Sequence, residues 1–386
     1  MSAPAQTPSA VPGKLATPRL PELEALRGLM ALWVIVVHSI LAVGFNVQAW
    51  PGALRWIADG DHPVFVFILL SGFVIFNLLD NARESYGVYL TRRFLRLFPA
   101  YFVCLIAASL MLGLSVDAIN NMPWHPPFAA VRLHLLDEAQ QHYWAHLLSH
   151  LTLLHGAVPP SVLPDAPYTI LGQAWSISLE WQFYLLAPLC LYLARRYDLS
   201  FAFGMMLAVI LIRRLAGGSP AFVFTQFEYF AVGALSYFGW KYQRGLAASG
   251  KTRLVYACAA LLAFSFALLL QSPALAIWLL VVLALCGAGH GLAGAPERSV
   301  LAVLQFRVTR YLGKVSYSLY LVHMIALYAM MYLLGPRFAD VSQWHFWILL
   351  FGLTAGLSIA AASVMFHFIE QPFINLGRRL SNKAST

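Results

Sequence analysis

The sequence predicts an all-α, polytopic bundle of about ten membrane-spanning helices. Three observations predict it. The chain has 386 residues, 60% of them hydrophobic and only 11% charged, whereas soluble domains carry about 25% charge. Apolar runs long enough to cross a bilayer recur from Arg27 almost to the C-terminus. Lipid gives backbone groups no partners, so such runs close into helices. The 25 Lys and Arg, finally, concentrate in alternate connections between the runs.

The elements follow in order. Residues 1–20 are polar and rich in Pro, Ala and Ser, the composition of a short disordered cytoplasmic tail. No cleavable signal is expected, because the first apolar run is long enough to span. Spans are expected at 27–46, 63–80, 96–116, 174–194 and 199–213. Five more are expected at 221–240, 254–271, 275–292, 311–334 and 346–372. With the N-terminus in the cytoplasm, the basic residues left outside are Arg55, Arg132, Arg213, Arg214 and Arg337. One miscounted span would spoil that asymmetry. Both termini therefore face the cytoplasm. Residues 21–375 form one membrane domain and 376–386 a second tail. The net charge of +9 reads as topology, and no nucleic-acid partner is expected. Cys104, Cys190, Cys258 and Cys286 lie in or beside apolar runs without CxxC pairing, and are read as packing residues. The longest exposed stretch, 117–173, falls on the outer side, and loops of that length are often functional.

The chemistry begins in the first span. Arg27 and His38 are eleven residues apart, about 16 Å of helix rise and about three turns. Arg27 is thus expected at one membrane face and His38 near mid-depth, on nearly the same side of the helix. An ionisable group in lipid is costly, so an imidazole there points to a general base. The plainer alternative is a core histidine satisfied by a neighbouring helix. Glu180, Glu228 and His323 are the groups expected to support His38, and a Glu180–His38 dyad would orient the ring as in hydrolase triads. Arg92, Arg93 and Arg96 open the third span and suit a phosphate clamp for a cytosolic donor, or simple anchoring. Ser71-Gly72 allows either close helix approach or a break lining a cavity. His142, His146 and His150 recur every four residues. They are read as an interfacial amphipathic helix, with no metal expected.

These motifs resemble the acyltransferase-3 family of integral-membrane acyltransferases. The resemblance rests on LEALRGLMALWVIVVHS, VFVFILLSGFVIF, RRFLRLFPAYF, WSISLEWQFYLLAP, YLGKVSYSLYLVHM and FIEQPF, in order over about residues 20–375. Glu24 stands where many members have Asp. The resemblance implies transfer of an acyl group, commonly acetyl, from cytosolic acyl-CoA to a hydroxyl of a saccharide or glycolipid acceptor at the outer side of a bacterial inner membrane. It implies Arg27 and His38 as the essential pair, with His38 catalytic; Glu180 is expected to join them as a catalytic residue through the dyad. It also implies Arg92, Arg93 and Arg96 at acyl-CoA; Ser71, Trp175, Tyr317 and His323 are expected at substrate. His38 would either deprotonate the acceptor or relay the acyl group covalently. The stand-alone form, without a fused hydrolase-like domain, is expected. The rival class is a saccharide or lipid exporter, which intramembrane charge would also suit; no inverted repeat supports it. A non-catalytic partner of a polysaccharide synthase is the third reading.

Overall fold

The computed structural model describes residues 20–81, 84–124, 126–197, 219–244, 272–289, 291–338 and 340–383, with 208, 209, 211 and 265 besides. Expected spans 199–213 and 254–271, with Cys258, lie almost wholly outside the described residues. Among the described residues the protein is all-helical, with no strand. Six helical stretches are long and apolar enough to cross a membrane: Pro21–Val43, Asp61–Asn81, Tyr86–Leu110, Gly172–Arg196, Arg307–Arg337 and Gln343–Ser381. Pro273–Gly289 is apolar but shorter.

Helix α1 (Pro21–Val43) starts with Pro in its first turn and stops where Gly44, at φ +81°, turns its N–H back to the Ile40 carbonyl. It packs along α11 (Arg307–Leu334) in parallel, one residue matching another with a constant offset. Gly28 lies against Gly313, and the His38 ring faces His323 ten residues further along both helices. Helix α2 (Asp61–Asn81) runs antiparallel to α1, with Trp33 near His62 at one end. It packs on α8 (Phe227–Arg244), where Gly72 lies against the Phe230 carbonyl and Gly233 against that of Leu69. Helix α7 (Trp175–Arg196) closes this side. At the Arg27 end, Asp80 of α2 accepts hydrogen bonds from Arg195 of α7 and from Tyr237 and Lys241 of α8.

The third span, α3 (Tyr86–Leu110), begins ten residues before its expected start. Ser85 caps it, its hydroxyl accepting from the Val88 N–H. The arginine cluster therefore sits inside a helix rather than at its mouth. The sixth expected span is helical only from Phe227, after a 3-10 turn at Val223–Thr225. Helix α9 (Pro273–Gly289) and α10 (Ala295–Gln305) lead to α11. Helix α12 (Gln343–Met365) is tied to α1, Trp347 donating to the Ser39 hydroxyl at 3.0 Å and Gln343 to the Val43 carbonyl at 3.1 Å. A π-helical turn, Phe366–Glu370, joins it to α13 (Gln371–Lys383). The expected C-terminal tail is thus helical as far as Lys383.

The 117–173 stretch is not a plain exposed loop. It carries the end of α4 (Leu112–Asn120), then α5 (Pro127–Gln141) and α6 (Tyr143–Leu151). The helix breaks at His142, so the three histidines do not form one stripe. His142 is exposed, while His146 and His150 are fully buried. His150 Nδ1 lies 2.9 Å from the Tyr101 hydroxyl, His146 Nδ1 lies 3.0 Å from Thr169 Oγ1, and His155 stacks on His150 at 4.0 Å. Burial holds the His155 imidazole down at about 4, so it packs as a neutral ring. Among the described residues no group of three His, Cys, Asp or Glu is arranged to hold a metal.

Candidate active site

Two cavities line the α1–α11 seam, one on each side of the His38–His323 pair. The first is walled by Arg27 of α1, Ser71 of α2, Arg96 of α3, Ser176 and Glu180 of α7, and Tyr317 and Tyr320 of α11. The second is walled by Ala42 of α1, Trp124, Phe128 and Arg132, and Met324 and Tyr328 of α11. Along α11 the first cavity ends at Tyr320 and the second begins at Met324. His323 lies between them. Along α1 the walls are Arg27 and Ala42, and His38 lies between them. The parallel register of the two helices sets both histidines at one level.

The two rings are 5.2 Å apart, tilted by 31°. His323 Nδ1 sits 2.6 Å from the Tyr320 carbonyl, an acceptor, so that nitrogen carries a proton. His323 Nε2 and His38 Nδ1 are buried without a hydrogen-bond partner among the described residues. Phe128 closes over His38, ring centres 6.4 Å apart. An imidazole with a free ring nitrogen, next to a second imidazole whose Nδ1 is held by a carbonyl, is equipped to take up and return a proton.

Glu180 does not join this pair. Its Oε1 accepts from Ser71 at 3.0 Å and from Tyr184, and lies 3.6 Å from Arg27 Nη2. Arg27 is about three helical turns from His38, so the expected Glu180–His38 dyad is replaced by a Glu180–Arg27 ion pair in the wall of the first cavity. Glu228 occupies the first turn of α8, two residues before Phe230, and is in neither cavity wall.

The three arginines separate. Arg92 pairs with Glu84 at 2.6 Å. Arg93 lies over the Tyr184 ring, 5.8 Å from its centre. Arg96 alone of the three reaches the cavity. Residues 92 and 96 share a helix face, but the Glu84 carboxylate turns Arg92 aside. Ser71 and Tyr317 line the cavity, the Tyr317 hydroxyl donating to the Leu97 carbonyl at 2.6 Å. Trp175 is not in its wall; it faces Tyr168 at 6.5 Å, and its neighbour Ser176 takes the lining position.

Sequence reasoning missed three contributors. Glu370, buried in the π-helical turn, accepts from Ser318 at 2.8 Å and stands within electrostatic reach of Arg96. A π-turn interrupts a helix often at functional sites, but it has no simple sequence signature. Tyr320, bonded to Ser176 at 2.8 Å and to the Gln173 carbonyl at 2.8 Å, ties α11 to α7. Arg132 read only as an outer basic residue, because nothing in its local sequence says it folds inward.

The model of an acyltransferase domain matches residues 20–363. The chain belongs to the acyltransferase-3 family. It is 30% identical over 211 residues to the acyltransferase MdmB of Streptomyces mycarofaciens, covering 53% of this chain and 48% of that protein. It is 23% identical over 405 residues to the peptidoglycan O-acetyltransferase OatA of Listeria monocytogenes, covering 94% of this chain and 58% of that one. A putative O-acetyltransferase of Staphylococcus aureus is 26% identical over 195 residues, 48% of this chain and 27% of its own. The chain thus spans about half the length of MdmB and OatA. No solved structure matches it.

Proposed function

We propose that the protein is a membrane O-acyltransferase. It takes an acyl group, acetyl above all, from cytosolic acyl-CoA and delivers it to a hydroxyl of a saccharide or glycolipid at the outer side of the bacterial inner membrane. The observation that carries this reading is the His38–His323 pair set between two cavities. An exporter needs a continuous path with a gate; a proton-accepting group between two separate chambers suits group transfer. The names of the relatives support the same chemistry.

In this reading the first cavity takes the donor, with Arg27 and Arg96 offering positive charge to its phosphates and Tyr317 and Tyr320 flanking the acyl arm. The second cavity takes the acceptor. His38 removes the hydroxyl proton as the oxygen attacks the thioester carbonyl carbon. The tetrahedral intermediate collapses with cleavage of the C–S bond, and the His38 imidazolium returns the proton to the departing thiolate. His323 holds the His38 ring in place as a neutral partner.

His38→Ala should lower acyl transfer by about 10²–10⁴, with insertion and melting temperature close to wild type. The measurement is release of free CoA from acetyl-CoA by purified protein, with and without saccharide. Wild-type turnover in a well-folded His38→Ala protein would remove the histidine from the mechanism.

A further inference from the structure

The second cavity carries one charge, and among the described residues that charge has no carboxylate partner. Arg132 Nε donates to the Tyr328 hydroxyl at 2.9 Å, and its guanidinium lies 5.9 Å from the Tyr328 ring centre. Among the described residues no Asp or Glu stands within ion-pair distance of it. The neighbouring backbone makes room for it: a Cβ on Gly172 would lie 2.7 Å from Arg132 Nη1. Phe128, one helical turn before Arg132 on α5, is the ring that closes over His38. The guanidinium therefore lines the chamber, and the candidate base lies behind its Phe128 wall.

A half-buried guanidinium fixed by a tyrosine, flanked by Trp124 and Phe128, fits a defined ligand chemistry. Aromatic faces pack against the apolar faces of a sugar ring, and a guanidinium grips a planar carboxylate or a phosphate bidentately. We infer that the second cavity is a subsite for an anionic saccharide, with Arg132 binding a carboxylate or phosphate carried by the sugar. The inference rests on the proposed function only in calling that saccharide the acceptor; the binding itself stands apart from turnover. Charge at this position would select acidic over neutral acceptors and fix which hydroxyl faces His38.

The test is binding to the full-length protein in lipid nanodiscs. The probes are a glucuronate trisaccharide, glucose 6-phosphate and a neutral glucose trisaccharide. Wild type should bind one or both charged probes more tightly than the neutral one. Arg132→Gln should weaken that binding by about ten- to a hundred-fold, the effect of losing one charge-assisted hydrogen bond, and Arg132→Lys by less. Gly172→Ala, which displaces the guanidinium without removing it, should weaken the same probes. Loss confined to the glucuronate probe assigns a carboxylate; loss confined to the phosphate probe assigns a phosphate. Arg195→Gln, which changes an exposed arginine at the opposite end of the bundle, is the control for bulk charge. Equal binding of charged and neutral probes overturns the inference. So does a loss in Arg195→Gln equal to that in Arg132→Gln, or Arg132→Gln binding indistinguishable from wild type in a folded protein. If wild type binds the charged probes through Arg132 yet never releases CoA, the acyltransferase reading falls and the anion subsite remains. Turnover with charged-probe binding indifferent to Arg132 gives the reverse.

Discussion

At the scale of single residues, the site turns on which carboxylate meets which cation. Glu180 and Arg27 were both legible as ionisable groups placed in apolar helices, because burying charge in lipid is costly enough to mark function. Their pairing was not legible. It depends on α7 running antiparallel to α1, which brings residue 180 to the level of residue 27 rather than of 38. The same fact changes what a mutation should do. Glu180→Gln keeps an oxygen for Ser71 and Tyr184 but removes the charge facing Arg27. Both side chains are largely buried, with 20% and 14% exposure. Leaving Arg27 unpaired should therefore cost about 1–3 kcal/mol of stability, less than the full penalty for a completely dry pair. Thermal melting in detergent would register it. The pH–rate profile should keep its acid limb where wild type has it, because the charge removed lies about three turns from His38. An acid limb displaced toward lower pH would put Glu180 back beside the imidazole.

At the scale of elements, glycine decides how closely the helices approach and so whether the two histidines meet. The sequence offered two roles for Ser71-Gly72, and the structure divides them. Ser71 lines the first cavity, whereas Gly72 lets α2 and α8 touch, and the helix is unbroken. The parallel seam of α1 and α11 uses the same device: a Cβ on Gly28 would lie 2.4 Å from the Gly313 nitrogen and 2.5 Å from the Leu312 carbonyl carbon. Small residues of this kind are how membrane helices pack without a hydrophobic driving force. Helix existence was legible from apolar runs, and helix ends were less so. The cap at Ser85 is a local signal that the ten residues after it, 86–95, of mixed polarity, concealed. The break at His142 has no Pro or Gly to announce it. Gly28→Ala should push α1 and α11 apart, cost about 1–3 kcal/mol as an overpacking change, and reduce turnover by separating His38 from His323. Gly352→Ala is the matched control: nothing lies within 4 Å of its Cβ, so it should be neutral or stabilise slightly. Melting curves and turnover of the two variants check this together; equal behaviour would mean that the seam tolerates a methyl group.

At the scale of the whole molecule, charge is distributed along the bundle axis. Arg92, Arg195, Lys241 and Arg244 gather at the end where α2 and α8 finish. The opposite end carries Trp50, Trp344 and Trp347, packed around Phe45. Basic residues mark cytoplasmic faces, and tryptophans favour membrane interfaces of either side. The sequence alone carried this asymmetry, since it needs only the order of runs and loops. The two chambers were beyond it, because their walls combine residues from eight helices and from the segment after α4. If the basic end is cytoplasmic, the first cavity belongs to that side and the second to the outer side. The reaction should then be vectorial. Reconstituted in sealed vesicles with the basic end outward, the protein should release CoA from external acetyl-CoA only when the saccharide is enclosed in the lumen. Exchanging the two substrates across the same membrane should lower the rate to that of the minority of molecules inserted the other way. Protease mapping of the tail beyond Lys383 would count that minority. Equal rates in the two arrangements, with orientation verified as one-sided, would show that donor and acceptor enter from a common face. In that case the separation by His38 and His323 would no longer explain how the acyl group crosses.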